Sequence, residues 1–207
     1  MGGGSRGLAH IGVLDVLQKN RLIPDIIVGT SMGGLIGGLY ASGMPLAQLK
    51  KMTYNLQENR VISRLEPAQV AQKQNRLLDY LILGSYKNRL LDKFGHHKED
   101  HFEGYLKDLI GEIVIEDLPI KFACNAVDLI SGKEIIFKTG KLYKAIRATM
   151  SFPLLFDPAP YDNMLLIDGG TVNNAPVDIA KNLGADITIL VDVHSPMKRM
   201  PKRGSKA

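Results

Sequence analysis

Apolar positions in the first forty residues follow the order helix, strand, helix. Their helical spacing from Leu8 to Leu17 predicts an amphipathic helix that runs from a glycine-rich start to about Asn20. After Pro24, the apolar run at 26–28 predicts a short buried strand, and the stretch 33–41, rich in small residues, predicts a second helix. A sharp turn must therefore join this strand to the second helix.

The middle of the chain is mostly helical in its pattern. Pro45 opens a predicted helix that extends to about Leu56, and residues 66–111 place apolar and polar side chains mostly at helical spacing. We interpret residues 55–111 as a helical insertion within a single domain that covers residues 1–197.

The last part of the chain alternates strands with helices. Residues 120–127 and 133–137, joined by the turn residues Ser131-Gly132, predict a β-hairpin. The further predicted elements are a helix at 142–150, a strand at 164–167, a helix at 177–183 and a strand at 187–191. Strands that alternate with helices predict an α/β three-layer sandwich with a mainly parallel sheet.

Composition excludes several classes of protein. A chain of 207 residues with 45% hydrophobic side chains can bury one sizeable core, and no apolar run approaches the roughly 20 residues of a membrane-spanning helix. Cys124 is the single cysteine, which excludes a disulfide framework and fits a reducing compartment. The start of the chain has neither the apolar stretch of a secretory signal nor a myristoylation pattern, so a cytoplasmic location is expected.

The charge is unevenly distributed. The formal net charge is +5, but residues 1–197 are neutral, and the excess lies in Lys198, Arg199, Lys202, Arg203 and Lys206. A neutral body without a basic face argues against nucleic-acid binding. We expect residues 198–207 to form a disordered basic tail, with peripheral contact to an anionic membrane as its candidate role.

Gly29-Thr30-Ser31-Met32-Gly33 matches G-x-S-x-G between a predicted strand and a predicted helix. In that context the pattern is typical of a nucleophile elbow, in which the serine sits on a tight strand-to-helix turn. The alternative is a serine that only caps the following helix. The sequence favours Ser31 as a nucleophile.

The glycine-rich segment 2–7 precedes the first predicted helix. Backbone N–H groups in such a loop stabilise a developing anion, such as the oxyanion of a tetrahedral intermediate. The segment also matches the dinucleotide pattern G-x-G-x-x-G, which requires a preceding strand and a later acidic residue at a second strand. Only Met1 precedes Gly2, and no acidic residue follows the strand near residue 28, so we do not favour nucleotide binding.

A nucleophilic serine needs a base. The five histidines are His10, His96, His97, His101 and His194. Those at 96–101 lie in a polar stretch typical of a solvated helix end, and His10 lies on the first predicted helix. His194 follows the last predicted strand, where an α/β-hydrolase often presents its histidine.

Asp168 is the competing base. It ends the strand predicted at 164–167, and the following Gly169-Gly170 indicates a tight turn that presents a carboxylate at the edge of the sheet. An Asx-turn or a helix cap is the structural alternative for this aspartate. Spacing alone leaves both Asp168 and His194 open as the base.

Several motifs together resemble the patatin-like phospholipase family. They are the segment Gly2 to His10, the Gly29 to Gly33 elbow, Arg147-Ala148-Thr149-Met150-Ser151-Phe152-Pro153, Asp168-Gly169-Gly170, and Asn174-Ala175-Pro176-Val177. Their order and residue types match over almost the whole chain, up to about Val193. The resemblance implies a lipid acyl hydrolase that uses a Ser-Asp dyad, an acyl-serine intermediate and no metal or organic cofactor.

The resemblance also implies roles for individual residues. Ser31 is the expected nucleophile and Asp168 the expected base, so no histidine is required. Backbone N–H groups of Gly2, Gly3, Gly4 and Met32 are the expected oxyanion hole, and Arg6 is the expected substrate-binding cation. The expected partner is a phospholipid or another lipid ester.

One feature departs from the family. Its members carry an apolar strand that leads into the glycine-rich loop, whereas only Met1 precedes Gly2 here. We therefore expect a sheet in which the first strand is missing. The alternative to an active hydrolase is a catalytically impaired member that binds lipid or has a regulatory role.

Overall fold

The computed structural model describes residues 1–52, 101–153 and 155–194. The helices with described bounds are α1 (Ala9–Lys19), α2 (Met32–Ala41), α3 (His101–Ile110), α4 (Leu142–Thr149) and α5 (Val177–Asn182), and residues 46–52 are also helical. The strands are β1 (Ile26–Gly29), β2 (Lys121–Asp128), β3 (Glu134–Phe137), β4 (Ala159–Tyr161) and β5 (Met164–Asp168). Single 3₁₀ turns occur at Gly4–Leu8, Ile115–Asp117 and Gly169–Thr171. None of the helices in these ranges is both long and apolar enough to cross a membrane.

The sheet is mixed in its strand directions. β1 and β2 pair in parallel, whereas β2 with β3, β2 with β5, and β4 with β5 pair antiparallel. The described strands thus form one parallel and three antiparallel pairs, which is more antiparallel than the mainly parallel sheet expected. Short turns join β2 to β3 and β4 to β5, so each of these two pairs is a hairpin. The α/β class itself is confirmed.

Strand β2 brings the ends of two other strands together. Cys124 pairs with both β1 and β3, and Ala126 pairs with both β3 and β5. Since β3 occupies one edge of β2 at both positions, β1 and β5 share the opposite edge. β1 runs parallel to β2 and β5 antiparallel, so their carboxyl ends, at Gly29 and Asp168, point toward each other across a short gap.

Helices cover both faces of this sheet. The Cys124 side chain faces α2 and α4, and its Sγ lies 3.6 Å from the Ala145 carbonyl oxygen. On the other face, Asn125 contacts the turn that leads into α5, and α5 packs against β1. The centre of the core consists of fully buried Leu35 and Leu39 of α2, Phe122 of β2, Leu142 and Ile146 of α4, and Leu166 of β5. The three-layer arrangement is confirmed.

Most predicted elements are present, with two corrections. The strand predicted at 187–191 is wrong, because this segment forms no ladder with any described strand and leaves Ile187 86% exposed. Strand β4 was not predicted, since it is short and contains Pro160, which limits it to an edge position. The predicted insertion lies mostly outside the described residues, as does the tail, and the proposed boundaries of the domain remain predictions.

A groove separates β1 from the unpaired segment 187–191. Its cavity volume is about 570 Å³, and Met1 lies in its lining. Apolar side chains from three helices face it, namely Leu14 and Leu17 of α1, Ile36 of α2, and Val177 and Ala180 of α5. Because β1 pairs only with β2 among the described strands, one wall of this groove is an unpaired strand edge.

An apolar segment that fills the groove should stabilise the protein. We expect about six apolar residues fused directly before Met1 to raise the Tm by about 5 °C or more, because the added strand pairs with β1 and covers exposed side chains such as Ile187. Thermal unfolding followed by circular dichroism measures the change. A Gly-Ser segment of equal length is the control, and an equal Tm for the two fusions contradicts this account of the groove.

Candidate active site

Ser31 lies in the tight turn between β1 and α2. Its backbone φ of 54° and ψ of −125° place a non-glycine residue in a sparsely populated region. The turn closes so tightly that a Cβ on Gly29 would lie 2.3 Å from the Gly33 carbonyl oxygen, so only glycine fits there. The Ser31 side chain makes no capping hydrogen bond to α2, which argues against the alternative of a helix cap.

Asp168 ends β5 and is only 1% exposed. Its backbone N–H donates to the Ser151 carbonyl at 2.9 Å, and its Oδ1 accepts the N–H of Gly170 at 2.7 Å. Oδ2 is buried and completes no hydrogen bond with any described group. One oxygen thus caps the 3₁₀ turn, as the structural alternative expected, while the other remains available.

The electrostatic surroundings of Asp168 favour a stronger base than an exposed aspartate. Burial raises the pKa of its carboxyl group above the ordinary value, because the charged form is poorly solvated there. The Ser31 hydroxyl and the Gly170 N–H act in the opposite direction and lower this pKa. Oδ2 completes no hydrogen bond with a described group, so the Ser31 hydroxyl lowers this pKa as a nearby group and not through a completed hydrogen bond to Oδ2. Hydrogen bonds between catalytic groups often shorten only when substrate binds.

The glycine-rich loop packs directly against the Ser31 turn. A Cβ on Gly2 would lie 2.9 Å from the Ser31 Cβ, and a Cβ on Gly33 would lie 2.7 Å from the Met1 carbonyl oxygen. The Gly2 N–H donates to Asn174 Oδ1 at 3.1 Å, so this donor is occupied. The N–H groups of Gly3, Gly4 and Met32 have no acceptor within the described ranges.

The described histidines make contacts other than with Ser31. His10 Nε2 lies 2.7 Å from the Met1 carbonyl oxygen, and burial lowers the pKa of His10. His194 is exposed, and its ring contacts the Asp192 carboxylate at 3.0 Å and Asn174 Nδ2 at 3.3 Å. His10 thus holds the start of the glycine-rich loop, and among the described side chains the site brings Asp168 rather than His194 to Ser31. His96, His97 and the His101 side chain lie outside the described residues.

Other predicted features contribute little to the site. Arg6 is exposed on the 3₁₀ turn that follows the loop, and its role toward substrate remains a prediction. Cys124 is fully buried, and burial raises the pKa of its thiol, which makes it unreactive. The described residues include no group of three or more His, Cys, Asp or Glu side chains that could hold a metal ion.

Sequence reasoning missed three polar residues that contact the site. Asn174 accepts the Gly2 N–H, Thr149 accepts the Ser31 N–H, and Asn125 accepts the hydroxyl proton of Thr30. Thr149 and Asn174 lie inside motifs that carry the family resemblance, which was a usable signal. No motif in the sequence pointed to Asn125, since it is a lone polar residue between the apolar residues in the middle of β2.

Comparisons with known proteins identify the family. A sequence model of the patatin-like phospholipase family matches residues 1–181. A patatin-like phospholipase domain-containing protein of Caenorhabditis elegans is 35% identical over 94% of this chain and 13% of its own length. A lysophospholipase of Meyerozyma guilliermondii is 32% identical over 97% of this chain and 13% of its own length.

Two further comparisons add a bacterial relative and a fold. An uncharacterized NTE family protein of Mycobacterium bovis is 31% identical over 93% of this chain and 47% of its own length, so the chain spans less than half of each of these relatives. The crystal structure of VipD from Legionella pneumophila superposes with a TM-score of 0.54 at 14% identity, over 84% of this chain and 46% of that one, which supports the fold alone. Because the sequence model of that family matches residues 1–181, which is most of this chain, the chain belongs to the patatin-like phospholipase family.

Proposed function

We propose that this protein hydrolyses the carboxylic esters of lipids, as a phospholipase A or lysophospholipase, through a Ser31–Asp168 dyad. Membership in the family supports lipid acyl hydrolase activity. The observation that carries the dyad is the buried Asp168 carboxylate, whose Oδ2 completes no hydrogen bond with the described residues while the Ser31 hydroxyl lies beside the carboxylate. A buried carboxylate left unsatisfied is costly, and a role as base accounts for it.

The first half-reaction acylates the serine. Asp168 accepts the hydroxyl proton as Ser31 Oγ attacks the carbonyl carbon of the ester. The negative charge that develops on the carbonyl oxygen is stabilised by the N–H groups of Gly3, Gly4 and Met32. When the tetrahedral intermediate collapses, the C–O bond to the alcohol breaks, and the alcohol leaves with the proton from Asp168.

The second half-reaction releases the fatty acid. Asp168 now accepts a proton from water, whose oxygen attacks the acyl-Ser31 carbonyl. The same oxyanion donors stabilise the second tetrahedral intermediate, and its collapse returns the proton to Ser31 Oγ. A carboxylate can serve as the base in both halves because burial raises the pKa of Asp168 toward the range where it accepts protons effectively.

We extend the proposal to contact with an anionic lipid surface through the basic tail. Residues 1–197 carry no net charge, whereas residues 198–207 carry five positive side chains and no carboxylate side chain. Each Lys or Arg close to an anionic leaflet contributes roughly 1 kcal/mol. The tail thus supplies the charge that would hold the protein near its substrate.

Removal of either dyad residue should abolish hydrolysis. We expect Ser31→Ala and Asp168→Asn each to lower turnover of a p-nitrophenyl ester by about 10³-fold or more, because the first removes the nucleophile and the second the base. Ser31→Ala should also end labelling by a fluorophosphonate probe. Ester turnover, probe labelling and circular dichroism are measured on the same preparations.

Two control variants make the dyad test specific. Ser42→Ala removes a partly buried serine hydroxyl at the end of α2, where it bonds the Leu39 carbonyl, and should leave turnover unchanged. His194→Ala should keep most of the activity. Loss of turnover in His194→Ala as large as in Asp168→Asn would show that histidine is the base. A wild-type protein that neither turns over ester nor takes the probe would favour the lipid-binding alternative.

Deletion of residues 198–207 should weaken binding to anionic vesicles. We expect at least a tenfold loss of affinity for vesicles that contain phosphatidylserine at low salt, and loss of the salt dependence, because five positive charges are removed. Hydrolysis of a soluble short-chain ester should not change. Vesicle sedimentation with neutral phosphatidylcholine vesicles is the control, and equal binding by both forms at low salt contradicts the role of the tail.

A further inference from the structure

Polar side chains that take no part in the proposed chemistry lie buried in contact with the turns that carry the dyad. Thr30, Asn125 and Thr149 are each fully inaccessible to solvent. Buried polar groups destabilise a protein unless they are hydrogen-bonded, so their partners indicate why they are present. Each of these side chains bonds to the Ser31 turn, to the turn after Asp168, or to both.

Asn125 lies on β2 beside the gap between the facing ends of β1 and β5. It lies on β2 between Cys124, which pairs with Gly29, and Ala126, which pairs with Asp168. The side chain faces away from the core helices α2 and α4, toward the turn after Asp168. A Cβ on Gly169 would lie 2.4 Å from Asn125 Oδ1, so this turn packs directly on the amide.

The Asn125 amide joins the two turns by hydrogen bonds. Its Oδ1 accepts the Thr30 hydroxyl at 2.8 Å, and its Nδ2 donates to the Asn173 carbonyl at 2.9 Å and to Glu134 Oε1 at 2.7 Å. Both groups that face Nδ2 are acceptors, which fixes the orientation of the amide. Thr30 directly precedes the nucleophile, and Asn173 follows the 3₁₀ turn that Asp168 begins, so the Asn125 side chain links both turns. The Thr30 hydroxyl also lies 3.2 Å from the Asn173 carbonyl oxygen, so the two turns meet directly as well.

Thr149 holds the backbone of the nucleophile itself. Its Oγ1, on the last residue of α4, accepts the Ser31 N–H at 2.8 Å. The Ser31 backbone has a positive φ, and such a conformation persists only where the surroundings determine it. The methyl group of Thr149 also contacts α2, since a Cβ on Gly34 would lie 2.8 Å from its Cγ2. Thr149 is thereby fixed on two sides.

We propose that Asn125 and Thr149 are positioning residues for the Ser31–Asp168 dyad. Asn125 sets the separation of the two turns, and Thr149 sets the backbone conformation that directs Ser31 Oγ toward Asp168 Oδ2. This inference rests on the proposed function. Placement matters because an error of about 1 Å in the reacting groups can lower a rate about 100-fold.

Substitutions at Thr149 separate positioning from simple packing. Thr149→Val preserves shape and removes the oxygen that accepts the Ser31 N–H, whereas Thr149→Ser keeps that oxygen and loses the methyl group. We expect Thr149→Val to lower kcat about 10- to 100-fold with KM within about twofold of wild type, and Thr149→Ser to retain kcat within about threefold. The rate of fluorophosphonate labelling should follow kcat in both variants.

Asn125 and a buried control complete the experiment. Asn125→Ala should lower kcat and the labelling rate in the same proportion, because it removes the amide that bonds both turns and leaves only the longer contact between the Thr30 hydroxyl and the Asn173 carbonyl. Cys124→Ala removes a fully buried side chain from the adjacent position on β2, on the opposite face, and should lower Tm without changing kcat. If Asn125→Ala does not fold, the comparison of Thr149→Val with Thr149→Ser decides whether the positioning inference holds.

The outcomes distinguish this inference from the proposed function. Loss of kcat in Thr149→Val together with retention in Thr149→Ser supports positioning. Wild-type kcat in Thr149→Val, or an equal loss in Thr149→Val and Thr149→Ser that only follows their Tm, overturns it and leaves the dyad standing. A wild-type protein that is inert toward both the ester and the probe overturns the proposed function and this inference with it.

Discussion

The Asp168 carboxylate is buried against the Ser31 turn, and the surrounding structure serves to hold it there. A charged group out of contact with water is costly unless other groups compensate it. Among the groups that the structure describes, the Gly170 N–H donates to Oδ1 and none completes a hydrogen bond with Oδ2. Because the pKa is raised in the folded state, the folded protein binds this proton more tightly than the unfolded chain does. The free energy of unfolding therefore decreases as the pH rises from the ordinary pKa of an aspartate to the raised pKa of Asp168. The same rise in pKa makes the carboxylate a stronger base.

The sheet explains how residues distant in sequence reach one point. β1 and β5 share one edge of β2 and meet end to end, so the turn after β1 presents Ser31 to the last residue of β5. The gap between the strands lacks ladder hydrogen bonds, and the Asn125 side chain supplies polar contacts at that place. The glycine-rich loop then lies over the Ser31 turn, held by Asn174 and His10.

Local patterns predicted much of this arrangement, and the reasons are specific. The Ser31 turn was predictable because the apolar run before it and the small-residue helix after it leave room only for a sharp connection. The choice between Asp168 and His194 was not, since both follow a predicted strand and only the family resemblance favoured the aspartate. Asn125 and Thr149 could not be assigned from spacing, because their partners are far away in the chain.

The segment 187–191 has the composition of a strand, but a strand also requires a neighbouring strand to pair with, and composition does not reveal whether one is present.

The most direct test of the central claim is the pH dependence of fluorophosphonate labelling at Ser31. If the buried Asp168 carboxylate is the base, the labelling rate rises with pH as one group ionises and then levels off. The midpoint should lie above the ordinary pKa of 3.8 for an aspartate, because burial raises the pKa of Asp168, and it should be unchanged in His194→Ala. A midpoint at or below 3.8, or one that disappears in His194→Ala, would contradict the account.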